Sequence, residues 1–247
     1  MFDAATIAVI AATFLLAGAV KGVIGLGLPT ISLGLLTAAL DLPTAMVLLI
    51  VPSLVTNIFQ AGAGGHARTV LLRIWPFLLM AGATVWIGAA ALTRFDPDLL
   101  SGLLGVLLVS YAALGLSGAR LAIPAGREAW AGPVLGAANG ILTGMTGSFV
   151  VPGVMFLQAI GLSRDMLVQA MGMLFTVSTV ALALALRGSN VMTAELGIAS
   201  ALALAPALIG MVLGQAVRQR ISEARFRQVF FLAILVLGIY IVARAAA

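Results

Sequence analysis

Cysteine is absent from this 247-residue chain, which excludes disulfides, thiolate metal sites, thiol redox relays and cysteine nucleophiles. Histidine occurs once, as His66, in a basic stretch with Arg68 that reads as solvated. The carboxylates Asp3, Asp41, Asp96, Asp98, Glu128, Asp165, Glu195 and Glu223 all fall near the ends of apolar runs. A metal centre therefore finds no ligand cluster, and a buried acid relay finds no mid-run carboxylate; no cofactor is expected. Charge of either sign is scarce. Charged residues make up 9% of the chain, against about 25% in a soluble domain, so a water-soluble surface cannot be built from it. Lysine occurs once, and the other twelve basic residues are arginines set in short stretches between apolar runs. The isoelectric point near 11 is then a membrane topology bias, and a nucleic-acid partner is not expected. No basic residue precedes the first apolar run, so that run reads as a retained helix and not as a signal peptide.

What the chain does have is apolar length. Hydrophobic residues make up 62%, and the mean hydropathy is +1.20. Apolar runs fall at 3–20, 22–40, 43–62, 74–92 and 98–117, and again at 130–143, 147–160, 164–186, 194–217 and 226–244. Most approach the roughly 20 residues that a spanning helix needs, while 130–143 and 147–160 are too short to span comfortably. The fold class is an all-α polytopic membrane helix bundle whose solvent is the lipid bilayer. Trp75 and Trp130 open apolar runs, as interfacial belt residues do.

The two halves resemble each other. AGAVKGVIGLGLP surrounds Lys21, and LGAANGILTGMTGSFVVP surrounds Asn139. Each has an apolar helix, a polar residue followed by Gly, a glycine-punctuated stretch and another apolar run, with three long apolar runs after it. This predicts an N-terminal repeat over 1–118, a linker over 119–129 and a C-terminal repeat over 130–247, together forming one membrane domain. If the loop 63–73 is cytoplasmic and 130–160 returns to the side it left, nine arginines lie inside: Arg68, Arg73, Arg120, Arg127, Arg164, Arg218, Arg220, Arg225 and Arg227. Arg94, Arg187 and Arg244 lie outside. The bias orients the protein with both termini on the non-cytoplasmic side of a bacterial inner membrane. It also makes the repeats inverted. Inverted repeats with interrupted helices characterise secondary transporters, whose site lies near the midplane at the repeat interface.

The candidate site follows from the breaks. GVIGLGLP (Gly22–Pro29), including Gly25 and Gly27, and TGMTGS (Thr143–Ser148), followed by Pro152, interrupt helices in corresponding positions. Freed N–H groups at a half-helix N-terminus, with the positive end of the helix dipole, suit an anion. Gly144, Gly147, Thr146 and Ser148 belong to the second break, and Asn139 precedes it. The competing reading is that such glycines only let helices pack closely. Lys21, beside the first break, is an intramembrane cation if buried and an interfacial, snorkelling one if not. Thr56, Asn57 and Gln60 form a polar cluster in PSLVTNIFQ, with Thr56 and Gln60 on one helix face. They suit either an oxyanion or interhelical hydrogen bonding. On 164–186, Gln169, Thr176 and Ser178 favour the packing role.

With KGVIGLG, PSLVTNIFQ followed by GGHAR and RIWP, and NGILTGMTGSFVVPG in this order, the chain resembles the TauE/SafE sulfite exporter family over about residues 10–240. Gly34 stands where that family usually has Pro, which concerns the local bend of the second run. The resemblance implies export of sulfur-containing anions such as sulfite or organosulfonates by alternating access, and no enzymatic activity. The partners would be lipid and a small anionic substrate, with homo-oligomerisation left open. Competing functions are transport of other small organic anions such as carboxylates, a non-transport membrane protein, and an intramembrane hydrolase. The hydrolase would need a base near Ser148 that the single His66 does not supply.

Overall fold

The computed structural model describes residues 2–119, 121–188, 191–218, 220 and 222–247. Every regular element among them is helical. Among the described residues six helical stretches are long and apolar enough to cross a membrane: Ala4–Ile24, Ala67–Thr93, Pro97–Ser117, Arg164–Arg187, Ala194–Arg218 and Ala224–Ala245; the pair Leu42–Leu48 and Ile50–Gly62, bent by 45°, passes the same test together. The chain is a multi-pass membrane protein. Its outward faces carry large apolar side chains, such as Phe59 and Leu202, each 71% exposed, which only a lipid solvent tolerates in such number.

The helices are α1 (Ala4–Ile24), α2 (Leu28–Ala39), α3 (Leu42–Leu48), α4 (Ile50–Gly62), α5 (Ala67–Ala83), α6 (Val85–Ala89), α7 (Pro97–Ser117), α8 (Glu128–Thr146), α9 (Gly153–Ala159), α10 (Arg164–Arg187), α11 (Ala194–Arg218) and α12 (Glu223–Ala245). They form two compact units. One takes residues 1–52, 96–118 and 190–247, and the other takes 53–95 and 119–189. Each unit draws segments from both halves of the sequence.

Several boundaries differ from the sequence reading. The run 43–62 is broken at Leu49. Pro52 has no N–H to give the Leu48 carbonyl, four residues back. That carbonyl instead accepts from the Ser200 hydroxyl at 2.9 Å, and Ser200 Oγ in turn accepts from the Val51 N–H at 3.1 Å. The fourth run begins at Ala67, not 74, so Arg68 and Arg73 lie on helix and not in a loop. Its start is fixed by a neighbour: the His66 N–H donates to Gln169 Oε1. The run 130–143 extends to a 19-residue helix, because its glycines pack against neighbours and do not interrupt it. The run 147–160 shrinks to the seven residues of α9. Arg120, read as a linker charge, lies outside the described residues.

In the first unit, α1 packs along α11 through glycines. A Cβ at Gly18 would sit 2.1 Å from the Ala207 carbonyl oxygen, and one at Gly22 2.2 Å from that of Met211. From the other side, Gly210 and Gly214 press on the Leu15 and Ala19 carbonyls. Both positions climb together, so the helices run parallel. In the second unit, α8 does the same against α5 and α6. Gly136, Gly140 and Gly144 meet the carbonyls of Phe77, Ala81 and Val85 in ascending order, again parallel. These are small-residue stripes that let membrane helix backbones touch.

Candidate functional site

Lys21 lies in the last turn of α1 and is 5% exposed. It is therefore enclosed by protein near the end of the spanning stretch Ala4–Ile24, not snorkelling into solvent. Its place at a helix C-terminus favours its charge. The helix ends one turn later, where Gly25 (φ 79°) donates its N–H to the Lys21 carbonyl at 2.8 Å. Gly27 (φ 106°) then starts α2. Two left-handed residues so close in sequence require glycine. A Cβ at Gly27 would also sit 3.0 Å from the Phe230 ring. The first break is therefore Gly25–Gly27, narrower than the sequence suggested, since Gly22 belongs to α1 and Pro29 to α2. Leu28 and Thr30 open α2 with N–H groups that have no intrahelical partner, and Pro29 contributes none.

The second break spans residues 147–152 and is tied back to α8. The Gly147 N–H (φ 71°) donates to the Thr143 carbonyl at 2.7 Å. The Thr143 hydroxyl donates to the Ser148 carbonyl at 2.9 Å, and that of Thr146 donates to Leu142 at 2.7 Å. The Ser148 N–H donates to Thr146 Oγ1 at 3.2 Å. Thr143 and Thr146 thus act first as staples of the break. Gly144 lies within α8, where a Cβ would stand 2.1 Å from the Val85 carbonyl, so it is a packing residue. Ser148 is buried.

Asn139 is fully buried on α8, and its amide orientation is fixed. The Gly153 N–H, at the start of α9, donates to Asn139 Oδ1 at 2.9 Å. A backbone N–H can only donate, so the oxygen must face it and Nδ2 must face away. Asn139 Nδ2 is buried with no hydrogen-bond partner among the described residues. Gly153 is required here: a Cβ would sit 2.4 Å from Asn139 Oδ1 and 2.8 Å from Leu174 Cδ2. Ser178, one turn beyond Leu174 on α10, has a buried hydroxyl that is likewise without a partner among the described residues.

The polar cluster on α4 is largely engaged within the second unit. Asn57 Nδ2 donates to Ser53 Oγ at 2.9 Å, and Ser53 Oγ lies 3.3 Å from Thr179 Oγ1. The Thr56 hydroxyl donates to the Ser53 carbonyl. Gln60 Nε2 donates to the Val168 carbonyl, and Gln169 Nε2 returns the exchange to the Ala61 carbonyl, both at 2.8 Å. This reciprocal amide pair joins α4 to α10, which run antiparallel. Ser53 and Thr179 lacked a sequence signal, because one hydroxyl in an apolar run has no visible partner. At the start of α8, Arg73 grips Glu128 through Nε (3.0 Å) and Nη2 (2.7 Å) and donates to the Ile160 carbonyl at 2.6 Å. The sequence showed these charges but not their pairing, 55 residues apart.

The family described as "Sulfite exporter TauE/SafE" matches residues 10–241. The chain belongs to this family. No curated protein and no solved structure matches it. Membership makes this TauE/SafE chain one of a family of membrane transporters. The match covers both helix breaks, Lys21, the α4 cluster and Asn139, so every candidate residue lies inside the family's extent.

Proposed function

We propose that this protein exports a small sulfur oxyanion or organosulfonate across a bacterial inner membrane by alternating access. The observation that carries the proposal is Asn139. A buried amide nitrogen without an acceptor costs about 1–3 kcal/mol, and a fixed donor of this kind is what an anion's oxygen would satisfy. Within the first unit, Lys21 beside the Gly25–Gly27 break supplies a buried positive charge, whose expense in a membrane points to function.

Helix directions support the inverted repeat and the orientation. The charge distribution sends α5 outward from the cytoplasm and α11 inward. Since α8 runs parallel to α5 and α1 parallel to α11, the first helices of the two halves run in opposite directions. The antiparallel α4 and α10 fit the same scheme. Both termini then lie on the non-cytoplasmic side. A membrane potential, negative inside, drives an anion outward with about 2.3 kcal/mol per charge per 100 mV, and a divalent anion with roughly twice that.

Thermal stability of the detergent-purified protein against sulfite, sulfate, thiosulfate, taurine, sulfoacetate and simple carboxylates tests the substrate class. At 100 times its Kd the substrate stabilises by about 2.7 kcal/mol. Asn139→Asp keeps an acceptor for the Gly153 N–H while replacing the free donor, so it is expected to fold and lose that shift. A carboxylate giving the only shift would reassign the substrate. An undiminished shift in folded Asn139→Asp would remove Asn139 from the site.

A further inference from the structure

Helices α7 and α12 run antiparallel in the first unit, with a Cβ at Gly105 placed 2.8 Å from the Gly238 carbonyl. Toward the end of α7, Gly115 accepts the flat ring of Phe231, which would lie 2.3–2.5 Å from any Cβ there. Tyr111 meets the same ring edge-on at 5.2 Å. Beyond this point the two helices leave a groove of about 680 Å³. Its apolar wall is Leu116, Phe231 and Leu232, and its polar end is Arg227 and Gln228.

Three features define an occupant. The groove lies where two spanning stretches, Pro97–Ser117 and Ala224–Ala245, reach their ends, the depth of lipid headgroups. The stretch 218–228 carries Arg218, Arg220, Arg225 and Arg227 against the single acid Glu223. The negative end of α7 and the positive end of α12 meet here and offset one another, so the arginines set the sign of the local field. A soluble anion would leave the apolar wall bare, and a zwitterionic lipid brings its own ammonium against the arginines.

We infer that this groove holds an anionic phospholipid, with its phosphate on Arg227 and Gln228 and an acyl chain along Leu116, Phe231 and Leu232. Basic pockets between membrane helices recognise such headgroups. The inference is independent of the transported substrate, since none of these residues belongs to the proposed site.

Native mass spectrometry of the delipidated full-length protein, titrated with phosphatidylglycerol, phosphatidylcholine or inorganic phosphate, tests it. Phosphatidylglycerol is expected to bind about fivefold more tightly than phosphatidylcholine, the effect of one arginine at a membrane surface. Arg227→Gln should erase that preference, and Arg187→Gln should leave it intact. Leu116→Trp, which fills the apolar wall of the groove, should weaken both lipids and covers the case in which Arg227→Gln fails to fold. Equal binding of the two lipids, or a preference that survives Arg227→Gln, would overturn the inference. So would displacement of phosphatidylglycerol by inorganic phosphate alone, which would mark a soluble-anion site.

Discussion

A single hydroxyl decides how the chain passes Pro52. Ser200 donates to the Leu48 carbonyl and accepts from the Val51 N–H, so it satisfies both backbone groups that the broken helix would leave bare. It is 1% exposed, and water cannot replace it there. Ser200→Ala is expected to lower stability by about 1 kcal/mol, which for a chain of this size moves Tm by roughly 2–4 °C. A melting curve unchanged by the substitution would mean that the break needs no side-chain support. The sequence offered no hint of Ser200, because it lies 152 residues from its acceptor. Lys21 and Asn139 were legible for the opposite reason. Each is a polar residue followed directly by Gly in an apolar run, and a polar group among apolar residues is conspicuous. For Gln60, Thr143 and Thr146 only their presence was legible. Their donors go to the carbonyls of Val168, Ser148 and Leu142, and no composition argument assigns such pairings.

At the scale of helices, glycine has two meanings that sequence alone does not separate. Gly25, Gly27 and Gly147 adopt positive φ and end or begin helices. Gly136, Gly140 and Gly144 sit inside α8 and exist for the carbonyls they touch. Reading the second kind as the first is why the eighth helix looked short and the second break wide. The long apolar runs, by contrast, were legible nearly to the residue: 98–117, 164–186 and 194–217 became Pro97–Ser117, Arg164–Arg187 and Ala194–Arg218. Helix α11 lets the distinction be measured within one element. A Cβ at Gly197 meets nothing within 4 Å, whereas at Gly210 it would lie 2.0 Å from the Leu15 carbonyl. Gly197→Ala is expected to stabilise by about 0.5–1 kcal/mol, through helix propensity alone. Gly210→Ala must push α1 and α11 apart and is expected to destabilise by more than that gains. Thermal melts of the two variants in one detergent check the pair. Similar shifts of one sign would show that these helices are not packed through their glycines.

For the whole molecule the decisive property is direction. Parallel packing of α1 on α11 and of α8 on α5 ties segments of the two halves together in direction, and the proposed sidedness rests on the arginine distribution. The two lines are independent, since one rests on backbone approach and the other on charge. Absence of cysteine makes the orientation directly measurable, because any thiol introduced will be the only one in the chain. Asp96→Cys, in the short connection before α7, should react with a membrane-impermeant maleimide from outside intact cells. Ser222→Cys, before α12, should react only after the membrane is opened or inverted. Ala246→Cys, following α12, should again react from outside. If Asp96→Cys and Ser222→Cys label from the same side, α7 and α12 do not each cross the membrane as their length implies. If the pattern is reversed throughout, the helix pairings survive and the orientation read from the arginines falls, while the outward drive of the membrane potential on an anion is unchanged, because it does not depend on which way the protein faces.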